Sequence, residues 1–133
     1  MEKIVFWKDK ENRVIDPELF SKTAETFARE IASDNNNSRS ANKRTQIRKF
    51  FDEISSLNMQ AKTNPDGWMG ILPLVHMVTA KAAYASGRKL ISDNFLNFIK
   101  QSVEQVKTSE DLDVFASFFE SFIGFYRLHG PSN

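Results

Sequence analysis

Activating a nucleophile or holding a metal ion requires reactive side chains at fixed spacings, and this sequence offers few. It contains no cysteine, which excludes thiolate nucleophiles, disulfides and Cys-based zinc sites. His76 and His129 are its two histidines, and neither has a histidine or carboxylate at a metal-binding spacing. Asp52 and Glu53 are adjacent and therefore point to different sides of a helix, while Glu104, Glu110, Asp111 and Asp113 stand where solvent-face or capping acids belong. Gly67 and Gly70 match no phosphate loop, since neither the lysine-bearing pattern nor a preceding strand is present. No catalytic residue, metal site or cofactor is expected.

What the sequence does segregate is positive charge. The net charge is only +1, yet residues 35–51 contain no acid while Arg39, Lys43, Arg44, Arg48 and Lys49 all fall among them. On a helix Arg44 and Arg48 stand i, i+4, as do Thr45 and Lys49, on the solvent side opposite Ile47, Phe50 and Ile54. Like charges at that spacing repel, a penalty that an anionic ligand would relieve. Lys81, Arg88 and Lys89 form a second cluster around Tyr84 and Gly87, where bases are also expected simply to offset a helix dipole. Each cluster reads either as an ordinary solvated face or as a nucleic-acid site. Trp7, Trp68 and Tyr84 are the aromatics able to stack on bases, or equally to pack. A helix-turn-helix fits poorly, because an apolar segment follows the basic helix instead of a polar recognition helix.

The elements that must hold these groups read as helices. Residues 1–15, with the apolar run Lys3–Trp7, form an N-terminal arm too isolated to define a sheet. Asp16, Pro17 and Glu18 start a first helix running to about Ser33, with Phe20, Ala24, Phe27, Ala28 and Ile31 on one face. Residues 34–42 are polar and aperiodic, which predicts an exposed, mobile loop. A second helix spans about Lys43 to Gln60, with Ile47, Phe50, Phe51, Ile54 and Leu57 as its core face. A turn at residues 64–67 precedes a third helix that starts or bends near Pro73, buries Leu74, Val75, Val78, Ala82 and Ala85, and is closed by Gly87 in the left-handed conformation. Ser92 or Asp93 starts a fourth, with Phe95, Leu96, Ile99, Val103 and Val106 inward. Ser109 caps the last, which Gly130 and Pro131 terminate. Its stripe of Leu112, Phe115, Phe119, Phe122, Ile123 and Tyr126 is joined by Val114, Phe118 and Phe125. That is more apolar surface than one face buries, so either this helix is central or a partner covers Phe118 and Phe125. The expectation is all-α: one domain over residues 1–133, a compact bundle of about five helices. No apolar run approaches the ~20 residues that span a bilayer, and the N-terminus has no signal-peptide core, so no membrane and a cytoplasmic location are expected.

Three stretches from Lys43 onward resemble the small-subunit family of the type III-A (Csm) CRISPR effector complex. They are the helix start at residues 45–51 (Thr-Gln-Ile-Arg-Lys-Phe-Phe), the segment at residues 81–88 (Lys-Ala-Ala-Tyr-Ala-Ser-Gly-Arg), similar to a Lys-x-x-Tyr-x-x-Gly-Arg signature, and the aromatic helix from Phe115 to Arg127. The resemblance implies a non-catalytic, multi-copy subunit lying beside guide RNA and its paired target RNA, with other Csm subunits and self-association as its contacts. It implies backbone contact through Arg48, Lys49, Arg88 and Lys81; Lys43, Arg44 and Lys89 join them on charge alone. The alternative is a helical homo-oligomer or adaptor using its Phe-rich C-terminal helix, with no direct RNA role.

Overall fold

Apolar periodicity resolves into five α-helices among the described residues: α1 (Ala24–Asn37), α2 (Arg44–Thr63), α3 (Trp68–Gly87), α4 (Asp93–Glu104) and α5 (Ser109–His129). They follow an antiparallel hairpin of β1 (Trp7–Asp9) and β2 (Val14–Ile15). The computed structural model describes residues 3–133, so Met1 and Glu2 of the expected arm lie outside the described residues. The fold is all-α apart from the hairpin, as the sequence implied.

The helix α5 is the axis. It packs against α1 on one side and α2 on another, while α4 reaches it through paired phenylalanines: Phe98 lies 4.7 Å from Phe122 and 5.3 Å from Phe119, ring centre to ring centre. Large planar side chains are what fill the wider gap between those two backbones. In an outer layer, α3 lies on α2 and α4 and buries the single stripe Ile71, Val75, Val78, Ala82 and Ala85.

The remaining side of α5 is closed by the N-terminal arm. Before β1 the hairpin reaches only the Phe6 carbonyl, which accepts from Asp16 N at 3.0 Å, and two glutamines at the end of α4 bond Ile4 and the Phe6 N–H. Gln101 Oε1 accepts from Ile4 N at 2.8 Å, Gln105 Oε1 accepts from Phe6 N at 3.0 Å, and Gln105 Nε2 donates to the Ile4 carbonyl at 2.9 Å. With its backbone satisfied, Phe6 inserts against Phe115 and Phe118 at 6.1 and 6.0 Å. Phe118 is therefore 0% exposed. The expectation of a partner at Phe118 is corrected: this chain's own arm covers it, and Phe125 is half-buried against the core.

Other expectations shift for local physical reasons. A π-helical turn at Leu19–Thr23 advances the register by one residue, so Leu19 is buried where Phe20 was expected, and Phe20 is exposed. Pro73 neither starts nor ends α3; Met69 and Pro73 are both exposed, so the carbonyl that loses its donor lies on the watered side. Leu74 is exposed as well, and Ile71 takes the core position. Ser92 caps α4, accepting from Phe95 N at 3.3 Å. Thr108, not Ser109, caps α5, in a reciprocal box with Asp111.

That box is the best-tied carboxylate in the molecule. Asp111 is nearly fully buried and accepts from Lys107 N, Thr108 N and Trp7 Nε1 at 2.9, 3.0 and 2.9 Å. Burial opposes its ionisation, but the two backbone N–H groups, the indole and the Lys10 charge outweigh it and hold the carboxyl below its ordinary value.

The segment expected to be an exposed, mobile loop is exposed over residues 36–40 but is helical at its start and buried at Asn35, Ala41 and Asn42. Helix α1 continues to Asn37, and Asn35 donates to the Ala41 carbonyl at 2.7 Å. Asn42 is completely buried and left-handed, with φ 62°. Its Nδ2 donates to Ile31 O at 3.0 Å and Ser92 Oγ at 2.8 Å, and its Oδ1 accepts from Ser92 N at 2.9 Å. Its backbone N donates to Leu90 O at 3.0 Å, and its carbonyl accepts from the Tyr126 hydroxyl. Burial pushes the Tyr126 phenol well above its usual pKa, so it stays a donor.

Two measurements check these ties. Asn42→Ala removes three side-chain hydrogen bonds at a fully buried position and cannot easily adopt the left-handed backbone, and is expected to cost about 3 kcal/mol or more in urea unfolding. For Asp111 the folded pKa is depressed, so its contribution is present above the ordinary carboxylate value and fades as pH falls through the lowered one. Acid titration should show the wild type losing stability below about pH 4, with that loss reduced in Asp111→Asn.

Candidate nucleic-acid interface

Alternating helix directions bring the end of α1, the start of α2, the end of α3, the start of α4 and the end of α5 to one pole of the bundle, around Asn42. Both basic clusters gather there. The linker carries them close together: Ser40 Oγ donates to the Lys89 carbonyl at 3.3 Å, and Asn42 bonds Leu90.

The first cluster sits at the seam of α2 and α5. Lys43 is the N-cap of α2 and makes no side-chain capping bond, and no acid occupies the first turn. Arg44 spans the seam, its Nη2 donating to the Arg127 carbonyl at 3.0 Å, while its buried Nε–H has no acceptor among the described residues. Arg48 is exposed, pairs with Asp52 at 3.3 Å, and stands over the Phe51 ring at 5.4 Å. Lys49 is exposed and makes no ion pair among the described residues.

Between α2 and α5 runs a groove of about 370 Å³. Ile47, Ile123 and Tyr126 contribute to its lining, with Arg44, Arg48, Lys49 and Arg127 beside them and Asp52 as the one acid. Arg127 is the residue that sequence reasoning did not place. It lies 83 positions from Arg44, and only the antiparallel packing of α5 on α2 joins them.

The second cluster differs in kind. Lys81 is neutralised by Glu53 at 2.6 Å. Arg88 stacks over Tyr84 at 5.7 Å, and Tyr84 is 69% exposed, the one aromatic of the three stacking candidates left open to solvent. Trp7 is bound to Asp111, and Trp68 Nε1 donates to the Lys107 carbonyl at 3.1 Å. Lys89 has a backbone role: Leu90 N bonds Ala85 O at 3.0 Å and Lys89 N bonds Ser86 O at 2.9 Å, closing α3 with Lys89 left-handed at φ 62°. The expected left-handed Gly87 is thereby corrected, since no glycine has a positive φ. Arg39 lies apart, on a polar hollow of about 640 Å³ between the end of α1 and the tail.

Dipole arguments separate the clusters. Arg88, Lys89 and Arg127 stand near helix C-termini, where positive charge is favourable on its own account. Lys43 and Arg44 stand at an N-terminus, where it is not, and no acid offsets them. The seam therefore joins two bases at a helix start without an acid to the cation-favouring end of α5.

The family model described as Csm2 Type III-A matches residues 15–132. The chain belongs to the Csm2 family. Membership makes it a subunit of a type III-A CRISPR effector, of a structural-subunit family, with other Csm subunits as its partners. No curated protein and no solved structure matches it. Among the described residues no helix is long and apolar enough to cross a membrane, and no group of three or more His, Cys, Asp or Glu is placed to hold a metal.

The backbone role of Lys89 generates a prediction. Lys89→Gly relieves the left-handed strain and should raise unfolding free energy by about 1 kcal/mol. The same substitution removes a charge near Arg88, so stability and RNA affinity measured on one variant separate its two roles.

Proposed function

We propose that the chain is a non-catalytic RNA-binding subunit of a cytoplasmic type III-A effector, contacting guide and target RNA through the backbone and without regard to sequence. The observation that supports this reading is the convergence of Arg44, Arg48, Lys49 and Arg127 on one groove with a single acid. Arg48, Lys49 and Arg127 are its exposed members, and Arg88 and Lys43 extend the same pole. Lys81 lies outside the groove and is held by Glu53 at 2.6 Å, a closer pair than the 3.3 Å of Arg48 with Asp52. Sequence readout is left to pairing between guide and target, which requires only phosphate contacts from the protein.

A second surface supports contact with other subunits or with further copies of this chain. Met69, Leu74, Met77 and Tyr84 form an exposed apolar row on α3, turned away from the stripe that α3 buries. The homo-oligomer or adaptor reading finds its surface there and not on the Phe-rich α5, whose Phe118 is sealed inside.

Fluorescence anisotropy of labelled single-stranded RNA tests the proposal. With three or four phosphates neutralised, log affinity should fall against log salt with a slope of about −2 to −3. Arg48→Glu/Lys49→Glu, folded by circular dichroism, should weaken binding at least about tenfold. Binding that ignores both salt and the charge reversal would overturn the reading, as would self-association without RNA binding at low salt.

A further inference from the structure

Phosphate contact alone does not account for the shape of the seam. A surface that only follows a backbone needs charge, whereas the groove between α2 and α5 is lined mostly by carbon and is concave. Its volume of about 370 Å³ lies at the lower end of small-molecule sites, larger than a phosphate group needs. Ile47 and Tyr126 are buried and Ile123 is half-buried, so they close the bottom, and the aliphatic stems of Arg44, Arg48 and Lys49 extend the apolar wall.

We infer that this groove takes an unpaired nucleobase of the bound RNA strand, its flanking phosphates resting on Arg48, Lys49 and Arg127. This rests on the RNA-binding reading above and names which part of the RNA enters. Three features favour a base over another apolar occupant. The guanidinium of Arg48 bonds Asp52 at 3.3 Å and stands over the Phe51 ring at 5.4 Å, and a guanidinium plane is a stacking surface for a base. Arg44, which lines the groove, carries a buried Nε–H without an acceptor, and base edges and phosphates both supply acceptors. The basic rim with one acid selects a ligand whose apolar body is attached to negative charge, which describes a nucleotide and excludes a neutral hydrophobe. An apolar floor distinguishes bases poorly, so the groove would accept any of them.

The test compares one labelled single-stranded RNA with the same strand bearing abasic riboses at alternating positions, at low salt, using the full chain. The phosphates are equal in the two strands, so the wild type should bind the abasic strand about tenfold more weakly. Thr45→Trp and Ile123→Trp, two independent ways of filling the groove, should bring the ratio of the two affinities to about one, with folding followed by circular dichroism. A wild-type ratio near one with salt-dependent binding intact overturns the groove assignment and leaves backbone contact standing. A ratio that survives both fillings moves base contact elsewhere, for which Tyr84 is exposed, and also overturns it. Adenosine monophosphate shifting the Ile123 methyl resonances while the strand ratio stays at one would assign the groove to a free nucleotide and overturn the strand assignment. No saturable binding of either strand removes the RNA reading itself.

Discussion

One buried asparagine fixes the pole of this bundle at which both basic clusters gather. Asn42 bonds α1 through Ile31, the start of α4 through Ser92, the turn after α3 through Leu90 and the end of α5 through Tyr126. Four connections converge on a residue that also supplies the left-handed backbone needed to turn from α1 into α2. Asparagine suits both tasks, since its short polar side chain tolerates that conformation and offers donors and an acceptor together. Each bond alone contributes about 1 kcal/mol net, and losing the side chain removes three of them at a fully buried position and leaves Ser92 N without its acceptor. The arrangement sets where α2 begins two residues later, and so where Arg44 meets Arg127.

The same constraint explains how α2 starts where it does in spite of its charge. Lys43 and Arg44 begin a helix without a capping side chain and with no acid in its first turn, an unfavourable start on electrostatic grounds. Such a start persists because packing on both sides overrides it: Ile47 and Phe50 are buried below, and Asn42 holds the chain just before. Of the bases there, Arg48 is paired with Asp52 and Arg127 stands near the α5 C-terminus, while Lys49 is exposed and has no ion pair among the described residues. At the end of α3, Arg88 and Lys89 favour the local dipole and Lys81 is paired with Glu53.

Much of this was legible in the sequence, and the misreadings have specific causes. Helix number and order follow from apolar spacing, and the acid-free window at residues 35–51 identified the basic start of α2 without any structure. Arg127 was invisible because its proximity to Arg44 arises from the antiparallel return of α5, a relation that no local pattern encodes. Phe118 was assigned to a partner because its stripe exceeds what one helix face buries; the surplus was real, but Phe6 from the arm consumes it. The Asn-rich segment after α1 has the composition of a loop, yet Asn35 and Asn42 are buried because their amides complete hydrogen bonds that apolar residues would leave open. A glycine at the end of α3 suits a left-handed closure, but the helix ends at Gly87 and the left-handed residue is Lys89, two positions into the turn that follows.

The surfaces proposed for RNA and for other subunits draw on different elements. The groove belongs to α2 and α5, whereas Met69, Leu74 and Met77 face outward from α3, with α2 and α4 beneath it. A side chain spent on one contact is not withdrawn from the other, so both are compatible in one subunit. Three or four phosphate contacts give a single copy only modest affinity at physiological salt, because each neutralised phosphate releases counterions whose benefit salt erodes. Copies joined through α3 would present their grooves to one strand at high effective concentration, so modest sites would add to a tight and sequence-blind grip. In that reading the exposed apolar row raises RNA affinity indirectly, by holding the next groove near the strand that the first has already bound.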